Sequence, residues 1–439
     1  MITSEHQSIE IPRSKNPRFV IIGGGFGGIE MAKMLKNKKA QVVLLDRHNY
    51  HTFIPLLYQV ATAGLEPDSI AEPLRKIIEN TKDFYFRMAK VDRINPEEKT
   101  VSTAVGDLPY DYLIIATGSK TNYFGNESIY KKAFPLKQIT QALDLRSQIL
   151  QNFEKAVQTK NEDVRQSLMN FVVVGGGPTG VEVSGALGEL KKQVLPQDYP
   201  ELDFDMMNIY LIEGLPRLLS GMSDYAGNKA LEYLKRFGVT VQLEKMVKAY
   251  DGTEVVFSDD TKLKTQTLIW AAGVKGNIID GLDEKSIERD RLIVDEYNRV
   301  EGYDDIFAVG DIASMKTAKF PKGHPMLAPV AIQQGKHLGE NIVRITENKP
   351  LKPFTYLDKG YMATVGRKKA VVDLPGGLKL GGFLAWITWM FIHIFYLIGF
   401  RNKLVVFSNW VWNYFTYDRG IRLIIRPFDI EKKSQEIND

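Results

Sequence analysis

The stretch FVIIGGGFGGIEMAKMLKNKKAQVVLLD, residues 19–46, decides the fold. A short apolar run enters GGGFGG (residues 23–28), a helix-forming segment follows, and a second apolar run closes on Asp46. Strand, glycine turn, helix and strand in that order open a βαβ unit. Gly23 permits the tight turn, Gly25 lets the backbone approach a pyrophosphate, and Gly28 lets the helix lie close against the strand. Phosphate charge is then favoured at the helix N-terminus by free N–H groups and the helix dipole. Asp46 lies 23 residues after Gly23, near the spacing of a ribose-binding carboxylate. The bland alternative for Asp46 is a solvated strand end.

The pattern recurs about 150 residues later. FVVV enters GGGPTG (residues 175–180), then VEVSGALGELKK, then the strand NIYLIE ending at Glu213. Gly175, Gly177 and Gly180 repeat the three glycine roles. Glu213 follows Gly175 by 38 residues, and the excess is placed in QVLPQDYPELDFDMM (residues 193–207), whose two prolines predict an inserted loop. A carboxylate at Glu213 would accept hydrogen bonds from a free ribose 2′-OH and repel a 2′-phosphate, favouring NADH over NADPH. Arg217 nearby either accommodates that phosphate or is an ordinary surface charge. Two such sites imply two nucleotides, most economically a flavin on the first and a nicotinamide on the second, placed for hydride transfer. The expected fold class is α/β, with two Rossmann-like dinucleotide-binding domains for FAD and NADH.

Composition narrows the alternatives. At 439 residues, with 44% hydrophobic and 25% charged, the chain is ordinary globular material for about three domains. The net charge of +4 gives no argument for nucleic acid, and none is expected as a partner. The absence of cysteine removes disulfides, dithiol redox motifs and Cys-ligated clusters. The six histidines are scattered without metal-ligand spacing, so no metal is expected. The first 17 residues are polar and read as a loose arm without an apolar signal segment, which fits a cytoplasmic setting.

Further blocks carry a resemblance. ATG at Ala116, Thr117 and Gly118, AAG at residues 271–273 and VGD at residues 309–311, added to the two glycine turns, resemble the two-dinucleotide-domain flavoprotein reductases. Within that superfamily, HTFIPLLYQVATAGL (residues 51–65), GGGPTGVEVSGAL and the aromatic C-terminus resemble the type II NADH dehydrogenases, single-subunit NADH:quinone oxidoreductases, over roughly residues 18–425. The resemblance implies FAD held by Gly23, Gly25, Phe26, Gly27, Gly28, Asp46, Arg47 and the Ala116–Thr117–Gly118 turn. It implies NADH held by Gly175, Gly177, Pro178, Thr179, Gly180, Glu213, Ala272 and Gly273. Asp311 would bond the flavin's ribityl–phosphate portion, or alternatively cap a helix starting at Ile312. Glu182 matches a family glutamate near nicotinamide and quinone, although a first-turn acid also complements the helix dipole. The family's quinone motif, Ala-Gln-x-Ala-x-Gln, reads here Ala328-Pro329-Val330-Ala331-Ile332-Gln333. Pro329 has no side-chain donor or acceptor, so quinone contacts lean on Gln333, with Gln334 beside it, on backbone groups or on another residue. Lys379 either approaches the flavin or is solvated.

GGFLAWITWMFIHIFYLIGF (residues 381–400) is free of charge and 20 residues long, which meets the length of a membrane span. Its polar groups nevertheless gather on one half of a helix, including Thr388, Trp389, His393 and Tyr396. In the next segment Asn409, Asn413 and Thr416 form a stripe. Four of the five tryptophans fall in these two segments. Arg401, Lys403, Arg419, Arg422 and Arg426 against Asp418 leave residues 399–427 at net +4, suited to an anionic membrane surface. An in-plane, monotopic anchor on the cytoplasmic side of the cell membrane is the leading reading. A dimer interface, a true span and buried core are the others, and a homodimer is expected.

The expected organisation is therefore a first FAD-binding part at 18–140, an NADH-binding domain at 165–280, a second FAD-binding part at 281–350 and a membrane-anchoring, dimerising region at 351–439. The activity expected is transfer of two electrons from NADH through FAD to a membrane quinone, menaquinone or ubiquinone, without proton pumping. The alternatives are a flavin reductase serving a protein acceptor and a flavin-binding membrane protein without turnover.

Overall fold

The computed structural model describes residues 9–79, 81–416 and 420–429. Asp418 and Arg419, counted in the C-terminal charge, lie outside the described residues. The chain forms two compact units, one from residues up to 51, 72–120 and 274–358, the other from 52–71, 121–273 and 359 onward.

The first unit is built on a five-stranded parallel sheet in the order Ile306–Ala308, Tyr112–Ile115, Arg18–Ile22, Gln41–Asp46, Phe84–Met88. Its inner strands are apolar without alternation because both faces are covered. Phe19, Val20 and Ile21 are fully buried, as are Val43, Leu44 and Leu45. The helix Phe26–Met34 follows the first turn and packs on the helix Ala328–Thr346. The expected loose arm is corrected in part: Ile9 and Ile11 are buried in this unit's core with Val20, Leu113 and Tyr356. Two apolar side chains, nine and seven residues before the first strand, tie the segment down.

The second unit repeats the plan, with a parallel sheet in the order Phe134–Pro135, Thr267–Trp270, Asn170–Val174, Asn208–Ile212, Val239–Gln242. The helix Pro178–Glu189 leads from the second turn. The loop expected over residues 193–207 is half helical. A π turn, Leu190–Val194, and a short helix, Leu195–Asp198, extend the chain before it turns irregular. Pro196 sits in the first turn of that helix, where its missing N–H costs nothing.

The C-terminal part of this unit has an antiparallel sheet of Tyr361–Gly366, Lys369–Asp373 and Lys379–Gly381, then the helices Gly382–Tyr396 and Phe400–Thr416. The apolar 20-residue segment is thus not one rod. It breaks before Gly399, which has φ +85°. Fifteen helical residues reach only about 22 Å, short of the roughly 30 Å hydrocarbon core. No helix among the described residues is long and apolar enough to cross a membrane.

Candidate functional sites

The two glycine turns have the same internal wiring. Gly23 and Gly175 have φ of +110° and +109°, open only to glycine at low cost. A Cβ on Gly28 would strike the Gly23 carbonyl, and one on Gly180 the Gly175 carbonyl, so each helix starts in contact with its own turn. Gly25 and Gly177 have open space where a side chain would stand, and each caps its helix without one. Helix N-terminal charge is therefore left for an outside anion.

The acids are tied to their turns. Asp46 accepts the Gly24 N–H at 2.6 Å and the His48 N–H at 2.7 Å. Glu213 accepts the Gly176 N–H, and the Leu215 N–H at 2.7 Å. Each carboxylate oxygen keeps a lone pair for a ribose hydroxyl. Arg47 is exposed beside Asp46, and Ala116, Thr117 and Gly118 follow the strand next to the first turn. Thr117 Oγ1 donates to the Asn277 carbonyl at 2.7 Å. Pro178 and Thr179 open the second helix, while Ala272 and Gly273 follow the strand neighbouring the second turn.

Several polar atoms in the first unit suit an extended nucleotide. His51 is buried beneath the first turn, with Nδ1 3.0 Å from the Gly24 carbonyl and Nε2 without a partner. Burial pushes its pKa down to about 4, so the ring is neutral and Nδ1 carries the proton toward Gly24. Gln334 is fully buried; its Oε1 accepts the Gly310 N–H at 2.8 Å and its Nε2 is unpartnered. Asp311, next to Gly310, accepts from Ser119 Oγ at 2.5 Å. The alternative of a helix cap at Asp311 is corrected: it lies in a 3-10 turn, Gly310–Ile312, that leads into a strand. Cradles at the turn and orphaned polar groups fit FAD.

Gln333 is placed differently from Gln334. Its Nε2 donates to the Leu357 carbonyl at 2.9 Å and its Oε1 accepts the Leu357 N–H at 3.0 Å, so its amide is engaged with backbone. Pro329 stands in the first turn of the helix Ala328–Thr346, the position where a proline is pre-organised for helix. Lys379 is exposed at the start of its strand.

In the second unit Glu182 is buried one turn into the helix Pro178–Glu189. Burial drives its pKa well above the ordinary carboxylate range, opposed only by a hydrogen bond from the Thr364 backbone N–H. Thr364 also lines an open cleft. Its walls include Tyr58, Gln59, Trp386, Trp389, Trp410 and Tyr414. Ala186 and Glu189 line it from the Glu182 helix, four and seven residues on and hence on the same face. Gln59 ties the wall together: Oε1 accepts Trp410 Nε1–H at 2.8 Å and Nε2 donates to Tyr58 Oη at 2.8 Å. Gln59 and Trp410 were invisible as partners in sequence, although both lie in segments singled out there.

The C-terminal helices are inverted in polarity. Two members of the polar stripe face inward, Asn409 donating to Glu66 at 2.8 Å and Asn413 to the Gly64 carbonyl at 3.4 Å, as does Asn402, which donates to the Ala71 carbonyl at 2.9 Å; Thr416 is exposed and donates to the Trp412 carbonyl of its own helix. Outward stand Leu384, Phe391, Phe395, Phe400, Trp412 and Phe415, with Phe400 83% exposed and Phe415 76%. Large apolar side chains exposed in such number along two helices mark an interface with membrane or protein.

Comparison with known proteins agrees with this anatomy. A family model described as pyridine nucleotide-disulphide oxidoreductase matches residues 17–335, and one described as NDH2 C-terminal domain matches residues 359–417. A type II NADH:quinone oxidoreductase of Mycobacterium tuberculosis is 35% identical over 422 residues, covering 92% of this chain and 89% of that one. A mitochondrial internal alternative NAD(P)H-ubiquinone oxidoreductase of Arabidopsis thaliana is 30% identical, covering 93% and 86%. The solved structure of NDH2 from Plasmodium falciparum in complex with NADH superposes with a TM-score of 0.85 at 23% identity, over 94% of this chain and all of that one.

Proposed function

The chain belongs to the type II NADH:quinone oxidoreductases, and from that premise we propose that it oxidises NADH and reduces a membrane quinone by way of FAD, without pumping protons. FAD, when bound, supplies the two-electron relay between a hydride donor and a quinone. Everything else is the work of this chain's residues.

The first turn, with Phe26, Gly27 and Asp46, binds the flavin's pyrophosphate and adenosine ribose. Asp311 and Gln334 direct polar groups to the remainder of that nucleotide. The second turn and Glu213 bind NADH, with Ala272 and Gly273 leaving room for the coenzyme. The cleft walled by Trp386, Trp389 and Trp410 receives the quinone ring. Its aromatic lining suits a flat apolar ligand, and its Tyr and Gln groups suit the ring oxygens. Quinone reduction consumes two protons as well as two electrons. Glu182, kept protonated by burial and joined to the cleft through Thr364, donates one of them, and water supplies the other and reprotonates Glu182. Gln333 holds the backbone at Leu357 with one N–H and one lone pair of its amide, and keeps a second of each for a ligand.

The exposed apolar faces of the two C-terminal helices lie in the membrane interface, and Arg401, Lys403 and Arg426 lie at the headgroups. The same helices wall the cleft, which brings a lipid-soluble substrate to a site built on water-soluble domains. That shared wall carries the proposal. Purified protein should be yellow, bleach on anaerobic addition of NADH, and recover its colour on addition of a menaquinone or ubiquinone analogue. Bleaching with recovery only by a ferredoxin-like protein would instead favour a protein acceptor.

A further inference from the structure

We propose that Arg217 is withheld from the 2′ position of the coenzyme, which makes the loop at residues 214–223 a second determinant of NADH over NADPH beside Glu213. This rests on the second glycine turn being the NADH site.

Glu213 follows its strand directly, with both carboxylate oxygens on backbone N–H groups, those of Gly176 and Leu215. The chain then returns to the turn, where the Leu219 N–H donates to the Gly176 carbonyl at 2.8 Å. Leu218 and Leu219 are both buried, so the loop is pinned immediately after Arg217. An arginine a few residues after the acid is the group that would neutralise a 2′-phosphate. Here its guanidinium is turned back into its own loop. Nη1 donates to the Met222 carbonyl at 3.0 Å and to Asp224 Oδ1 at 2.8 Å, and Nη2 donates to the Ser220 carbonyl at 2.7 Å. Three of its five donors are thus committed.

The far end of the latch is anchored as well. Ser223 caps the helix Asp224–Arg236 by accepting the Ala226 N–H at 3.3 Å. Its own N–H and hydroxyl donate to the Asp373 carboxylate at 2.6 and 2.8 Å. Asp224 is therefore held at a fixed helix start, facing Arg217. A 2′-phosphate entering this site meets the Glu213 carboxylate and finds the neighbouring guanidinium engaged. Re-aiming Arg217 means giving up bonds to two carbonyls and a carboxylate. Asp224 is the one member a substitution can remove, and because it is 87% exposed and water screens the pair, its loss eases re-aiming by at most about fivefold.

The test is calorimetric binding of NAD+ and NADP+ to the oxidised holoenzyme, which involves no turnover. The wild type should bind NAD+ at least about tenfold more tightly than NADP+. Glu213→Gln should tighten NADP+ by about fivefold through lost repulsion. Adding Asp224→Ala should tighten NADP+ about fivefold again, with NAD+ changed less than about twofold. Adding Arg217→Ala to Glu213→Gln instead should leave NADP+ where Glu213→Gln put it. The latch is refuted if that last variant weakens NADP+, since Arg217 would then already reach the phosphate. It is equally refuted if Asp224→Ala brings no gain while its melting temperature stays that of its parent. Failure of the wild type to bind NAD+ would strike the coenzyme assignment itself.

Discussion

Trp410 Nε1–H donates to Gln59 Oε1 at 2.8 Å, joining residues 351 positions apart. Through this bond the last described helix is fixed to the short helix Leu57–Ala61, and the cleft between them acquires a rigid wall. Gln59→Ala leaves the indole N–H of a buried tryptophan unsatisfied, at a cost of about 1–3 kcal/mol. The KM for a long-chain quinone should rise about fivefold or more, while reduction of ferricyanide by NADH stays within about twofold. Steady-state kinetics with the two acceptors separate these effects, and an equal loss with both would contradict a quinone-specific wall.

Glu182→Gln tests the proton step. Quinone turnover should fall by at least about tenfold, since positioned acids contribute roughly 10²–10⁴. Stability gives an independent reading. The folded-state pKa of Glu182 is raised, so its contribution is complete below the ordinary carboxylate value of 4.5 and is lost as pH rises toward the folded value. A glutamine cannot ionise and escapes that loss. The melting temperature of the variant relative to wild type should therefore climb as pH rises above about 5; a flat difference would show that Glu182 ionises as it does in the unfolded chain.

His51 acts in the opposite sense. Its pKa falls from 6.5 to about 4 on burial, so the neutral ring is favoured in the fold. Its stabilisation is whole above pH 6.5 and is lost as pH falls through about 4. At about 1.4 kcal/mol per unit, the full effect is roughly 3 kcal/mol. Flavin release and melting should both become easier between pH 6.5 and 4. His51→Gln, which cannot charge, should show a shallower slope in thermal melts across that window.

The close approach at the first turn predicts a clean loss of cofactor. Gly28→Ala places a methyl group against the Gly23 carbonyl, and backbone cannot move aside as a flexible side chain can. Overpacking of this kind costs about 1–3 kcal/mol. The variant should purify with well under half the wild-type flavin absorbance per protein. Gly180→Ala should keep the flavin but bind NADH at least about tenfold more weakly, measured by titration.

Replacing Phe395, Phe400 and Phe415 with Glu should detach the protein from vesicles. Each ring is more than 70% exposed, and burying one in lipid is worth about 1.5–3 kcal/mol. Flotation with phosphatidylglycerol vesicles should show the triple variant in the unbound fraction, with NADH:ferricyanide activity retained. Binding undiminished at physiological salt would place the lipid contact elsewhere.

Local patterns in the chain were enough to determine the two βαβ units, because glycine spacing and unbroken apolar runs are short-range consequences of a tight turn and a strand buried on both sides. Asp46 and Glu213 were legible for the same reason, even across an insertion that proved half helical. The amphipathic character of the C-terminal segments was legible too, but not which half faces inward. That was decided by asparagines finding Glu66 and Ala71, residues more than 300 positions away. Only tertiary structure could separate Gln334, aimed at Gly310, from Gln333, bonded to Leu357, since neighbouring residues on a helix point about 100° apart. The same holds for Glu182: its carboxyl is unusual not by position in a motif but because folding strips away its water and leaves one N–H in return.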